Sequence, residues 1–273
     1  MDQPHITLAG GIPLPALGYG TYHLTGDQCY ECVLHALEVG YRHIDTAERY
    51  KNQQLIGRAI AHAAVPREQI TLTSKVWWDH LGYDALIDAC DRSLAELATD
   101  YLDLLLVHWP NRLISPEETF GALEALTEAG KIRGYGVSNF TRHHIEDLFT
   151  AGYRPLVNQI EVHPTFRQDE LLSYCWEEGI AVVAHSPLGG GRDLTMHEIG
   201  NVAMYKGVTR AEVILAWHRQ RGTAAVVGAS KFPNIDRNWT SLGVTLTDAE
   251  METLSGLAQR GRVIDKPFSD FDY

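Results

Sequence analysis

Four residues of this chain could together hold and move a proton: Asp45, Tyr50, Lys75 and His108. Asp45 closes the short strand-like run Arg42 to Ile44, and Tyr50 follows it after a one-turn loop. Ile70 to Ser74 runs into Lys75, and Leu102 to Val107 runs into His108. An acid at a strand end is often only a helix cap. Three titratable residues at successive strand ends, with a tyrosine beside the first, call for a chemical reading. A free phenol has a pKa of about 10, and a nearby ammonium should lower it by stabilising the phenolate. A carboxylate keeps that ammonium charged and oriented, and a neutral imidazole can hold a substrate oxygen. The set fits protonation of an oxygen as it becomes an alkoxide. The matching reaction is hydride transfer to an aldehyde or ketone, for which a nicotinamide supplies the hydride.

Such residues need a scaffold that brings strand ends together. Ile6 to Leu17, around Gly10-Gly11 with Pro13 and Pro15, reads as a β-hairpin. Strand-like and helix-like segments then alternate: Leu17–Thr21, Asp27–Val39, Arg42–Asp45, Gln53–Ala63, Ile70–Lys75, Asp84–Leu97, Leu102–His108 and Pro116–Ala129. Pro116 suits a helix start. The second half continues with Ile132–Val137, Arg142–Phe149, Leu156–Ile160, Gln168–Glu178 and Ala181–His185, the last a nearly unbroken apolar run of the buried parallel kind. Helical stretches near Met196–Tyr205 and Arg210–Gln220 precede the strand Ala224–Val227, and helices Asn234–Leu242 and Asp248–Ala258 close the pattern.

Eight strand–helix units with no linker predict one domain over residues 1–273, an α/β fold of the (β/α)8 TIM-barrel type. The N-terminal hairpin and the helices near the C-terminus are additions to it. A doubly wound sheet should carry G-x-G-x-x-G after its first strand. Gly18-Tyr19-Gly20-Thr21-Tyr22-His23 lacks the last glycine.

Composition narrows the partners. A formal net charge of −12 argues against a nucleic-acid backbone or an anionic membrane surface. The opening Met1-Asp2-Gln3-Pro4-His5 lacks signal-peptide character, and no apolar run is long enough to span a bilayer. The expectation is a reduced, cytoplasmic monomer acting on a small-molecule carbonyl. Cys29 and Cys32 form a C-x-x-C, but within a helix this spacing only sets both on one face. No metal-ligand set is expected: His143 and His144 are adjacent on a helix, and no Cys/His spacing suits zinc.

The stretch from Gly40 to Tyr50 resembles the first signature of the aldo-keto reductases. Thr73-Ser74-Lys75-Val76-Trp77, Leu105-Leu106-Val107-His108-Trp109-Pro110, Gly136-Val137-Ser138-Asn139-Phe140 and Asn158-Gln159-Ile160-Glu161-Val162-His163-Pro164 match the family in order. The resemblance implies a barrel reductase with Tyr50 as acid, Lys75 and Asp45 as its tuners and His108 orienting the carbonyl. It assigns Ser138, Asn139 and Gln159 to the nicotinamide carboxamide. It places Gly20, Thr21, Asp45, His185, Ser186, Leu188, Ser230, Lys231, Asn234, Arg237 and Asn238 along the cofactor, and Tyr22, Trp77 and Trp109 on the substrate pocket. Without it, Ser138 and Asn139 would be ordinary turn or cap residues, and the aromatics ordinary packing.

Two segments depart from the family. His185 stands where relatives carry a tyrosine stacked on the nicotinamide. A neutral histidine can stack there too, and with an ordinary pKa near 6.5 its protonation should weaken the oxidised cofactor. The alternative is a buried, hydrogen-bonded structural histidine. The segment Val227 to Asn238 is closer to the Gly-Ala-Ser form than to the Pro-Lys-Ser form. Lys231 and Arg237 can still supply positive charge for the adenosine phosphate, which favours NADPH while leaving NADH possible. The short link Asn111–Ser115 and the short tail after Ala258 imply an open mouth like that of the bacterial 2,5-diketogluconate reductases, rimmed by Phe268, Phe271 and Tyr273. A nicotinamide-sensing subunit with weak reductase activity is the alternative function on the same barrel.

Overall fold

The computed structural model describes residues 3–273; Met1 and Asp2, part of the opening read against a signal peptide, lie outside them. Strands β1 (His5–Thr7) and β2 (Pro13–Pro15) pair antiparallel, with Ile6 opposite Leu14. They form the expected hairpin. Eight parallel strands then close on themselves: β3 (Leu17–Gly20), β4 (His43–Asp45), β5 (Thr71–Val76), β6 (Leu104–Val107), β7 (Tyr135–Ser138), β8 (Val157–Glu161), β9 (Ala181–His185) and β10 (Ala224–Val227). β10 pairs β3, so the barrel has no free edge.

The helices α1 (Gly26–Val39), α2 (Gln53–His62), α3 (Tyr83–Leu97), α4 (Pro116–Glu128), α5 (Arg142–Thr150) and α6 (Asp169–Glu177) each follow a strand. Two helices, α7 (His197–Lys206) and α8 (Arg210–Gln220), lie between β9 and β10; α9 (Phe232–Thr240) and α10 (Asp248–Ser255) end the series. Their starts are chemically marked. Ser115, Thr141, Thr209 and Thr247 each accept a backbone N–H from three residues on, satisfying donors that the helix itself cannot.

Leu8, Ile12 and Leu14 of the hairpin region join Leu104, Leu106, Val157, Val183 and Val226 in a single buried cluster. The hairpin therefore plugs the amino-terminal end of the barrel with apolar side chains. Polar groups gather at the other end. Within the lumen, a Cβ on Gly18 would lie 2.6 Å from His43 Nδ1, so glycine there makes room for a buried imidazole. Burial pulls His43 down to about 4, and its Nε2 meets Thr73 Oγ1 at 3.1 Å.

The expected elements are in place with small shifts. The Ile70–Lys75 and Ile132–Val137 runs become β5 and β7, each one residue longer at its carboxyl end, and α9 begins two residues earlier than Asn234. Leu102 and Ile132 form only an isolated bridge ahead of β6 and β7. Cys29 and Cys32 are buried in α1 as free thiols, with Cys29 pushed up to about 12 by burial. Residues after α10 cross the barrel mouth as a strap, because Phe268 finds Trp77, Trp78 and Trp109 there at ring distances of 5.5, 5.6 and 5.5 Å. Phe268 and Phe271 thus stand against Trp109 as the expected aromatic rim.

Candidate active site

Parallel strands in a barrel deliver their carboxyl ends to one face. There Asp45 ends β4, Lys75 is the penultimate residue of β5, and His108 directly follows β6. Lys75 Nζ donates to Asp45 Oδ1 at 2.5 Å and to the Thr46 carbonyl at 3.0 Å. The other carboxylate oxygen, Oδ2, accepts Gln159 Nε2 at 2.7 Å. Both members of the ion pair are almost fully buried. Taking two such charges from water is costly, so the pair persists only because each is met by the other and by further polar groups.

Tyr50 ends a one-turn 3-10 helix, Glu48–Tyr50, and Lys75 Nζ lies 5.3 Å from its ring centroid. Burial raises the Tyr50 phenol above its ordinary value, and Lys75 only partly offsets this. The lowered phenol expected from the sequence is thus corrected: in the free protein desolvation outweighs the ammonium. Burial alone would lower the Lys75 ammonium, but Asp45 and Tyr50 reverse this and raise it. His108 packs edge-on to Tyr50 at 5.8 Å and to Trp77 at 5.2 Å. Burial, then Lys75 and His185, hold it well below the usual histidine range, so it is neutral. At neutral pH the group comprises a protonated phenol, an ammonium, a carboxylate and a neutral imidazole.

Glu48 was given no role by sequence reasoning, yet it fixes the Tyr50 turn. Its carboxylate accepts the Trp77 backbone N–H at 2.5 Å and meets His80 Nδ1 at 3.1 Å. Asn52 does the same for the β3–α1 loop, donating to the carbonyls of Thr21 and Leu24. Only its place two residues beyond Tyr50 marked it in the sequence. Trp78, also unassigned, stacks on Phe268.

Next to the proton-handling group lies a buried amide and hydroxyl set. Ser138 and Gln159 stand opposite each other in the β7–β8 register, and Asn139 follows at φ 65. Ser138 Oγ donates to the Gln159 carbonyl at 2.8 Å, and Asn139 Nδ2 to the His108 carbonyl at 3.0 Å. Gly20 pairs Asp45 across β3 and β4, and Thr21 Oγ1 donates to the Asp45 carbonyl at 2.9 Å. His185 ends β9, its Nε2 2.9 Å from Asn139 Oδ1 and its Nδ1 3.3 Å from Ser186 Oγ. Burial pulls His185 down to about 4, so the titration near 6.5 expected from the sequence is also corrected.

Leu188 lies in the loop after β9, and Ser186 there adopts φ 49. Ser230, Lys231 and Asn234 are exposed around the start of α9, with Lys231 as its N-cap; Arg237 is exposed in its last turn, whereas Asn238 is buried. Tyr22 is exposed with its ring 5.0 Å from Tyr50. Trp109 is buried against Phe268 and Phe271. Tyr273, expected on the rim, instead packs on His143 and His144 of α5 and donates to Asp147.

The model of the aldo/keto reductase family matches residues 16–259, the whole barrel. This chain belongs to the aldo/keto reductase family. An aldo/keto reductase of Bacillus subtilis, named glyoxal reductase, is 38% identical over 264 residues, covering 96% of this chain and 95% of that one. A Trypanosoma cruzi protein named 9,11-endoperoxide prostaglandin H2 reductase is 36% identical over 271 residues, covering 97% of this chain and 95% of its own. The crystal structure of an aldo/keto reductase from Brucella melitensis superposes with a TM-score of 0.89 at 36% identity, covering 94% of this chain and 98% of that one. Carbonyl reduction with a nicotinamide cofactor is the general chemistry of aldo/keto reductases, and this chain is an oxidoreductase of that kind.

Proposed function

We propose that this protein reduces aldehydes or ketones to alcohols with NADPH, Tyr50 being the proton donor, within one catalytic domain over residues 1–273. The observation that carries the reading is the buried Asp45–Lys75 pair beneath a protonated Tyr50, with a neutral His108 beside it. The donor set fits a nicotinamide: Ser138, Asn139 and Gln159 offer buried hydroxyl and amide groups of the kind that pair with a carboxamide. When bound, the cofactor supplies a hydride to the carbonyl carbon.

This chain's residues handle the oxygen. His108 and Tyr50 orient it, and the Tyr50 hydroxyl gives up its proton as negative charge develops there. Lys75 stabilises the resulting phenolate, since a positive charge next to a phenol favours its anion. Asp45 keeps Lys75 charged and aimed, while Gln159 ties Asp45 to the carboxamide set. Trp77, Trp109, Tyr22 and the strap residue Phe268 supply an apolar wall, which limits competing water. Lys231 and Arg237 provide the positive charge that would distinguish NADPH from NADH.

The test is cofactor oxidation, followed optically, over a panel of aldehydes and ketones with both nicotinamides, including two-carbon and three-carbon dicarbonyls. Carbonyl-dependent oxidation preferring NADPH supports the reading. No carbonyl-dependent oxidation across the panel, despite cofactor binding, contradicts it.

A further inference from the structure

Away from the proton-handling group lies a second buried charged cluster. His163, fully buried just past β8, holds Glu161 Oε1 at 3.0 Å on Nε2 and Asp193 Oδ2 at 3.0 Å on Nδ1. These three residues come from segments with different tasks. Glu161 ends β8 and accepts the backbone N–H groups of Val263 and Ile264, at the root of the strap that carries Phe268 and Phe271. Asp193 closes the loop after β9, where Ser186 and Leu188 lie. Its carboxylate also accepts the Thr165 N–H and hydroxyl.

Two further observations show that the join is built. Gly189, at φ +60, is packed so closely that an added Cβ would lie 2.8 Å from Asp193 Oδ1 and 3.2 Å from His163 Nδ1. The β9 loop can rest on the cluster only with glycine there. Arg192 from that loop donates across to the strap carbonyl of Gly261 at 2.7 Å and to Thr165 Oγ1 at 3.1 Å. The strap's far end has its own anchor, Asp270 held by Arg112 at 2.6 Å and by His144 at 3.2 Å.

We propose that His163 is a positioning residue: its imidazolium, clamped between Glu161 and Asp193, locks the β9 loop to the strap, so that cofactor binding sets the shape of the substrate mouth. The proposal rests on the assignment of Ser186 and Leu188 to the cofactor. No group of the cluster touches the reacting oxygen. Its effect is transmitted through two contacts, Glu161 to the strap root and Asp193 to the loop. Breaking the imidazolium's links frees the strap while leaving Tyr50, Lys75 and Asp45 in place.

The charged and titratable groups around His163 are Glu161 on β8, Asp193 and Arg192 on the β9 loop, and two histidines that burial lowers, His185 on β9 and His218 on α8. Burial pulls the His163 imidazole down, but the bonds to Asp193 and Glu161 outweigh it and raise its pKa. Burial likewise pushes Glu161 and Asp193 up, and the bonds from His163 and its neighbours bring both below the ordinary carboxylate range. Both ring nitrogens face carboxylate oxygens, which accept and do not donate, an arrangement that the imidazolium with its two N–H groups satisfies.

The test is limited trypsin cleavage after Arg260 and Arg262, read by the mass of the C-terminal fragment, with and without NADP+. It is run on the wild type and on His163→Gln, alongside cofactor binding by fluorescence quenching. In the wild type NADP+ should slow these cuts. In His163→Gln the cuts should be roughly tenfold faster, reflecting local opening, and NADP+ should no longer protect although it still binds. Carbonyl KM should rise about tenfold with kcat changed by less than about threefold. Should His163→Gln not fold, Arg192→Ala removes the link to Gly261 together with the bond to Thr165, leaves His163 in place, and should show the same changes to a smaller extent. Retained NADP+ protection in the variant that binds it, or cleavage unchanged from wild type, overturns the coupling. Failure of the wild type to bind NADP+ overturns the cofactor reading and the coupling with it.

Discussion

Asp45 Oδ2 accepts the side-chain amide of Gln159 at 2.7 Å, while its Oδ1 accepts the Lys75 ammonium. One carboxylate therefore serves two neighbours, one that tunes the phenol and one that belongs to the carboxamide set. The link makes the electrostatics of the proton donor depend on the strand, β8, that would face the cofactor.

Replacing Asp45 by Asn should damage stability as well as turnover. It leaves the Lys75 ammonium buried without a counter-charge, a change that costs roughly 3–5 kcal/mol when one partner of a buried pair is lost. The denaturation midpoint should fall, and the double change Asp45→Asn with Lys75→Met should recover part of it. A double variant no more stable than the single one would show that the pair is not the source of the loss.

Cofactor affinity should be insensitive to His185 protonation across neutral pH. Because burial holds His185 at about 4, NADP+ and NADPH dissociation constants measured from about pH 5.5 to 8, a range around the reference histidine value, should follow the same profile in wild type and in His185→Tyr. A step near the ordinary histidine value present only in the wild type would contradict this.

Lys231→Ala combined with Arg237→Ala should weaken NADPH far more than NADH. Both side chains are exposed, Lys231 at the N-cap of α9 and Arg237 in its last turn, and a hydrogen bond to a charged group contributes about 1.5–3 kcal/mol. Titration of both nicotinamides into the double variant decides the matter. Equal losses would mean that these charges do not read the phosphate.

The His163 cluster predicts a signed pH dependence of stability. His163 has its pKa raised on folding, so its contribution is complete below the unfolded value near 6.5 and is lost as pH rises through the raised one. Glu161 and Asp193 are lowered, so theirs is present above the ordinary carboxylate range and is lost as pH falls through their folded values. The difference in unfolding temperature between wild type and His163→Gln should be largest between those limits and shrink on both sides. A difference that does not change with pH would show that the cluster contributes packing alone.

Much of this was legible in the sequence, and the residues say why. β9 and β10 are buried parallel strands, so Ala181–His185 and Ala224–Val227 read as near-continuous apolar runs and their bounds are met. Asp45, Lys75 and His108 could be grouped because barrel topology alone converts successive strand ends into neighbours. What sequence did not reveal depends on contacts between distant segments. Asp193 meets His163 from thirty positions away, and Glu48 meets the Trp77 backbone through a fold that no local pattern encodes. The direction of the Tyr50 shift differs for a related reason: a nearby lysine is visible in a motif, but the desolvation that outweighs it comes from burial among residues distant in sequence, such as His108.

The central claim, that Tyr50 donates the proton, is tested most directly by the single-turnover rate of Tyr50→Phe with NADPH and a reactive aldehyde. The change removes only the hydroxyl, and general acid catalysis is worth roughly 100- to 10,000-fold. A loss of that size, with NADPH dissociation within a few-fold of wild type, is the predicted result. A rate within a few-fold of wild type would contradict the claim.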